Sequence, residues 1–165
     1  MKIVLEKCGS YDKEEVYSAV KNAISGLGGI SSFIKVGQKV LLKPNVLGNF
    51  KPEDAATTHP EIIRAVIKIV KEAGAHPFIG ESPGFGSLAR FSGLTGVRKV
   101  SEEEKTPLIE LITPKEVHFA SGKRFKNLTV AAEIFDYDFI INLPKFKTHG
   151  SVSYTHLTLP TIYSV

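Results

Sequence analysis

Residues 38–82 alternate two short apolar strands with one amphipathic helix, and this pattern constrains the fold more than any other feature of the chain. The strand segments, "QKVLLKPNVLG" and "HPFIGES", are rich in apolar residues, as expected for strands covered on both faces. A strand, a helix and a second strand in this order are typical of parallel sheets. The helical segment, "TTHPEIIRAVIKIVKEAGA", carries one apolar stripe formed by Ile62, Ile63, Val66, Ile69, Val70 and Ala73.

Further helices and strands are predicted on either side of this unit. Thr58 and Glu61 have the spacing of a capping box in front of the central helix, and Gly74 follows its last apolar residue. An earlier helix is predicted over residues 12–29, where Asp12 supplies the cap. Residues 87–100 are also expected to be helical. The other apolar runs are predicted strands, at residues 2–7, 107–113, 116–120 and 139–143.

The order of these elements predicts the fold class. Strands that alternate with amphipathic helices indicate an α/β domain, with a mostly parallel sheet flanked by helices. Residues 116–130, "EVHFASGKRFKNLTV", have a polar, glycine-containing centre and predict a small antiparallel insert. The length of 165 residues fits one domain, or most of a larger one.

Composition excludes several classes of partner and cofactor. A net charge of +4 is too small, and the lysines are too dispersed, to indicate nucleic acid. No stretch approaches the roughly 20 apolar residues of a membrane span, and no signal peptide is visible, so we expect a cytoplasmic protein without a membrane partner. A single cysteine, Cys8, excludes an internal disulfide and an iron–sulfur cluster held by this chain alone. We therefore expect no metal or cofactor on this chain, and the sequence indicates no oligomeric state.

Polar side chains follow three of the predicted strands, in "LLKPN", "FIGESPGFGS" and "IINLPKFKTH". In an open parallel sheet, ligands bind beyond the carboxyl ends of the strands, where neighbouring loops diverge. Ammonium groups and amides at such an edge suit a carboxylate or a phosphate, so we expect a small anionic ligand. The expected crevice is lined by Lys43, Asn45, Glu81, Ser82, Asn142, Lys145, Lys147 and His149.

Each of these residues also has a structural interpretation. Lys145 and Lys147 occupy alternate positions, and two solvated lysines after a strand would show the same pattern. Glu81 would serve equally as an acceptor for backbone N–H groups in the glycine turn, and His59 as part of the helix start. Lys43 is harder to explain in this way, because it ends a strand expected to be buried on both faces.

Four segments together resemble the domain-of-unknown-function family 362: "KVLLKPNVLG", "ATTHPEIIRAVIKIVKEAGA", "FIGESPG" and "DFIINLPKFKTHG". Members often carry a C-terminal ferredoxin-like segment that binds 4Fe-4S clusters. The resemblance therefore implies a redox-linked role, with a 4Fe-4S cluster in the full-length protein and none on this chain. The family's motif positions correspond to Lys43, Pro44, Asn45, Thr58, His59, Pro60, Gly80, Glu81, Ser82, Asn142, Leu143, Pro144, Lys145, Lys147, Thr148 and His149.

The end of the chain departs from the family pattern. Residues 152–161, "VSYTHLTLPT", match the in-frame translation of a transposon-based sequencing adapter. We therefore interpret residues 1–150 as a partial, truncated α/β domain and residues 151–165 as a non-native tail. On this interpretation His156 is not a candidate ligand.

Three functional hypotheses follow. The first is an enzyme domain that binds a small anionic substrate, with redox chemistry from an iron–sulfur segment outside this chain and Glu81 or His149 handling protons. The second is a non-catalytic module that binds an anion or a partner, and the third is a truncated fragment without function. The substrate-binding residues of the first hypothesis are Lys43, Asn45, Thr58, His59, Ser82, Asn142, Lys145 and Lys147.

Overall fold

A parallel sheet with helices packed against it forms the centre of the computed structural model, which describes residues 2–84 and 86–146. The helices are α1 (Lys13–Gly26), α2 (Pro60–Glu72), α3 (Leu88–Phe91) and α4 (Val97–Glu103). The strands are β1 (Lys39–Pro44), β2 (His76–Glu81), β3 (Leu108–Glu110), β4 (Pro114–His118), β5 (Asn127–Ala131) and β6 (Phe139–Leu143).

Four strands lie in the order β3-β2-β1-β6, and every neighbouring pair is parallel. Strands β4 and β5 form a separate antiparallel hairpin. The prediction of an α/β fold with a small antiparallel insert is therefore confirmed. Strands β1 and β2 are the two internal strands of this sheet, and the apolar residues of β1 are fully buried.

One face of the sheet carries the helices. The apolar stripe of α2, which includes Ile63 and Val66, packs in one cluster with Val40, Leu42 and Ile79 of the sheet. Residues of α3 and α4 belong to the same cluster, and α1 packs against α2. The register places Val40 and Leu42 on the same face, so this cluster is the main core and accounts for most of the burial that stabilises the domain.

The second face is covered by the segment that leads from β3 to β6. The Tyr137 ring lies 5.2 Å from the Phe78 ring, centroid to centroid, on this face. Gly80 allows the Leu41 side chain to pack closely against the backbone of β2, since a Cβ at this position would lie 2.6 Å from Cδ1 of Leu41. Ile140 remains exposed on the same face, so its covering is thinner than that of the helical face.

Two predicted elements differ from the structure. Residues 2–7 form no strand, and Leu5 is 91% exposed, because this segment pairs with neither edge of the described sheet. The single helix expected over residues 87–100 is divided into α3 and α4. Gly96, with φ of 77°, adopts the left-handed conformation directly before α4. A residue in this conformation interrupts a right-handed helix, so the segment forms two helices. Among the described residues, no helix has the length and apolar character that crossing a bilayer requires.

A buried guanidinium joins α2 to α4. The Arg64 side chain is 7% exposed and contacts three carboxylates, those of Glu61 at 2.9 Å, Glu103 at 2.6 Å and Glu104 at 2.9 Å. Each contact uses a different guanidinium nitrogen, which matches the fixed fork of donors that arginine presents.

We predict that Arg64→Ala lowers the free energy of unfolding by about 3 kcal/mol, because it leaves the largely buried carboxylates of Glu61 and Glu104 without their counter-charge. Urea denaturation measures this change. Lys99→Ala is the matched control: Lys99 lies 3.9 Å from Glu103 on the surface, and its loss should change stability by less than about 0.5 kcal/mol. Equal effects of the two substitutions would contradict the assignment of Arg64 as the joining residue.

Candidate functional site

The carboxyl ends of β1 and β6 lie side by side at one edge of the sheet. Lys43 is in register with Asn142, and Pro44 with Leu143. From β1 the chain continues through α2 to β2 and β3 on one side, whereas β6 lies on the other side. The order of the strands therefore reverses between β1 and β6, and this is the position at which open α/β sheets bind ligands.

Thr58 links the loop after β1 to the end of β6 through hydrogen bonds. Its buried hydroxyl accepts a hydrogen bond from the Asn45 N–H at 2.9 Å and donates one to the Leu143 carbonyl at 2.6 Å. Its own N–H donates to the Asn45 carbonyl at 3.0 Å. The predicted capping role of Thr58 is therefore wrong: the helix cap is His59, and Thr58 joins the loop after β1 to the end of β6.

His59 caps α2 with its ring. Nδ1 accepts a hydrogen bond from the Glu61 N–H at 3.2 Å, so in the neutral imidazole the proton resides on Nε2. The ring stacks on Tyr11, with centroids 3.6 Å apart. Burial lowers the pKa of His59, and the Lys145 charge also lowers it, against the opposing carboxylates of Glu61 and Glu53. His59 is therefore a neutral donor near an ammonium group.

The amino end of α2 does not itself offer an anion site. The Glu61 N–H is taken by His59 Nδ1, and the Ile62 and Ile63 N–H groups donate to the His59 carbonyl. Pro60 has no N–H. Side chains at the sheet edge, rather than the helix terminus, are consequently the groups available to a ligand.

Glu81 is a buried anchor between β1 and β2. Its carboxylate, on a side chain 5% exposed, lies 2.9 Å from the Lys43 Nζ. It also accepts hydrogen bonds from the Val46 N–H at 3.3 Å and the Ser82 N–H at 2.9 Å. These contacts favour a positioning role for Glu81, and its proposed part in proton transfer stays a prediction. They also neutralise the charge of Lys43.

Two groups near this edge have unused hydrogen-bonding capacity within residues 2–84 and 86–146. Lys145, two residues after β6, forms no ion pair in that part of the chain and is half-buried. The buried hydroxyl of Thr57, next to Thr58, has no hydrogen-bond partner there. Sequence patterns singled out Lys145 but missed Thr57, since nothing in its neighbourhood marks a threonine as buried. The predicted site residues Lys147 and His149 lie outside the described residues.

An apolar cleft of about 430 Å³ adjoins the edge on the second face of the sheet. Two predicted site residues, Lys43 and Ser82, line this cleft. Asn45, Thr58 and His59 lie instead around the loop between β1 and α2. The sequence did not predict this cleft, because it forms between segments distant along the chain. Its apolar wall includes Leu111, Ile112, Pro114, Ile134 and Ile140.

The described residues do not fit an iron–sulfur cluster or another metal. Cys8 is exposed, and no group of three or more metal-ligating side chains comes together in residues 2–84 and 86–146. A cluster of the ferredoxin type needs four cysteines. Cluster ligands would therefore have to come from another polypeptide segment.

The lowered pKa of His59 predicts a pH-dependent stability. Its unfolded-state pKa is near 6.5 and its folded-state pKa is lower, so the folded state binds fewer protons below that pH. We expect stability to be fully present above about pH 6.5 and to fall as the pH drops through the folded-state pKa. In the matched variant His59→Asn, which keeps a capping acceptor without a titrating group, this part of the pH dependence should disappear. An NMR titration midpoint for His59 at or above 6.5 would contradict the prediction.

Comparisons with known proteins give one curated relative and one matching family model. A curated relative, the thylakoid-associated protein sll1697 of Synechocystis sp. (strain ATCC 27184 / PCC 6803 / Kazusa), is 34% identical over 153 residues. The match covers 93% of this chain and 47% of the relative, so the chain spans about half the length of that protein. No solved structure matches the chain.

A family model described as "Domain of unknown function (DUF362)" matches residues 40–157. The match includes the strand ends and the loop that carry the candidate site. It also extends into residues 152–161, whose interpretation as adapter-derived stays a prediction because they lie outside the described residues. The match covers well over half of the chain, which therefore belongs to the DUF362 family.

Proposed function

We propose that this chain supplies an anion-binding edge to a protein of the DUF362 family, and that the ligand is a small carboxylate or phosphate. The observation that carries the proposal is the position of Lys145. Its ammonium group has no ion-pair partner among the described residues, and it lies close enough to His59 to lower the pKa of that ring. An unpaired, half-buried cation at the switch point of a parallel sheet is a suitable partner for an anion.

Neighbouring groups give the ligand its orientation. The neutral His59 ring has an Nε2–H to donate, and the exposed Asn142 lies near the end of β6, in register with Lys43. Asn45 is fixed at the same place through its backbone bonds to Thr58. In this proposal Lys145 supplies the charge, while the uncharged donors distinguish one anion from another.

Lys43 has a different role in the proposal from the one that its sequence position indicates. Its charge is balanced by Glu81, so an anion at Lys43 would compete with a buried carboxylate. Together with Ser82, Lys43 lines the apolar cleft. The Lys43–Glu81 pair therefore positions the ends of β1 and β2, and the ligand's apolar part, if it has one, occupies the cleft.

An enzymatic, redox-linked role for the whole protein is part of the same proposal, with an iron–sulfur segment as a separate unit. The described residues supply no cluster ligands, so we assign no reaction step to such a cluster. The alternative, a non-catalytic anion-binding module, uses the same edge. The two differ only in whether the full-length protein turns a ligand over.

We predict that Lys145→Ala weakens binding of inorganic phosphate or succinate about tenfold or more, as expected for loss of a charge-assisted contact. Isothermal titration calorimetry at constant ionic strength measures the dissociation constants. Lys39→Ala is the matched control, since Lys39 is an exposed lysine at the opposite end of β1 and should leave binding unchanged. Equal weakening by both substitutions would show that binding follows net charge alone, and unchanged binding by Lys145→Ala would exclude the proposed site.

A further inference from the structure

The hairpin of β4 and β5 has a tip with an unusual surface. Among the described residues, the two strands pair only with each other, from Pro114 opposite Ala131 to His118 opposite Asn127. Beyond them, every residue of 119–126 except Gly122 is exposed. This part of the chain contributes nothing to the main core, so its side chains are free to contact a partner.

Basic and aromatic side chains are concentrated at this tip. Phe125 is 69% exposed and Phe119 is 54% exposed. Between and beside them are Lys123, Arg124 and Lys126, none of which forms an ion pair within residues 2–84 and 86–146. Exposure of two large aromatic rings to water is unfavourable, and two such rings beside three cations indicate a binding surface.

The tip also has a defined shape. The Phe119 N–H donates to the Lys126 carbonyl at 2.6 Å, and the Gly122 N–H donates to the Phe119 carbonyl at 3.0 Å. A Cβ at Gly122 would collide with the Phe125 carbonyl oxygen, so glycine is required for this turn. His118 and Asn127 hydrogen-bond across the base at 2.8 Å. The aromatic and basic groups are therefore presented together by a structured turn.

We propose that this tip, residues 119–126, docks on the surface of a bilayer that contains anionic lipids. Phe119 and Phe125 would enter the boundary between headgroups and acyl chains, and the three cations would contact lipid headgroups. A bilayer surface accepts both kinds of group at once. A docking tip of this kind needs no membrane-spanning segment, so it is compatible with the absence of one among the described residues.

The size of the basic cluster favours a bilayer over nucleic acid. Proteins that bind nucleic acid commonly neutralise about 6 to 10 phosphates along an extended footprint. Here three cations occupy one turn, and the apolar rings take up much of the same surface. The proposal is independent of the anion site at the sheet edge, because no residue is shared between them.

Co-sedimentation of the 165-residue chain with vesicles tests the proposal. We expect binding to phosphatidylcholine vesicles that contain about one-third phosphatidylglycerol, and little binding to phosphatidylcholine alone. Arg124→Glu combined with Lys126→Glu should weaken partitioning at least about tenfold, and Phe125→Ser about tenfold. Phe33→Ser and Lys35→Glu, at exposed positions outside the hairpin, are matched controls and should leave partitioning unchanged. Circular dichroism verifies that each variant keeps the fold.

Three outcomes would overturn the proposal. They are the absence of sedimentation with the phosphatidylglycerol vesicles, an equal loss of partitioning in the control variants, and tighter binding to a DNA duplex than to the vesicles at the same salt concentration. The last outcome would identify the tip as a nucleic-acid contact. A loss confined to the tip variants would support docking on the bilayer.

Discussion

The candidate site depends on the two hydrogen bonds of the Thr58 hydroxyl. It accepts from the Asn45 N–H and donates to the Leu143 carbonyl, so it joins the loop after β1 to the last residue of β6. Thr58 and Leu143 are 85 residues apart along the chain. Because one hydroxyl satisfies both a donor and an acceptor, an apolar residue of similar size would remove a hydrogen bond from each of two partly buried backbone groups.

Much of the fold could be predicted from the sequence, because hydrophobic periodicity reports which faces are buried. The run "KVLLKP" and the stripe of α2 required a buried strand and an amphipathic helix, and both are present as β1 and α2. Residues 2–7 have the same apolar character but no pairing partner in the described sheet. Propensity alone does not distinguish these cases, since a strand forms only where a neighbouring strand accepts its hydrogen bonds.

The candidate site was predictable in position but not in the roles of its residues. Parallel strands share one carboxyl edge, so the residues after β1, β2 and β6 were expected to be neighbours. Whether a given lysine is free depends on its partner across the sheet. Glu81 reaches Lys43 from the next strand, whereas Lys145 has no ion-pair partner in the described part of the chain. Thr58 was misassigned for the same reason, because its capping-box spacing is local and its actual partner, Leu143, is distant.

The most direct test of an anion site at this edge is a phosphate titration of the 165-residue chain followed by amide chemical shifts at constant ionic strength. We expect saturable shifts centred on the backbone amides of Asn45, His59, Asn142 and Lys145, where the ends of β1 and β6 meet. Saturable shifts centred elsewhere, such as the hairpin tip, or the absence of any saturable shift, would contradict it.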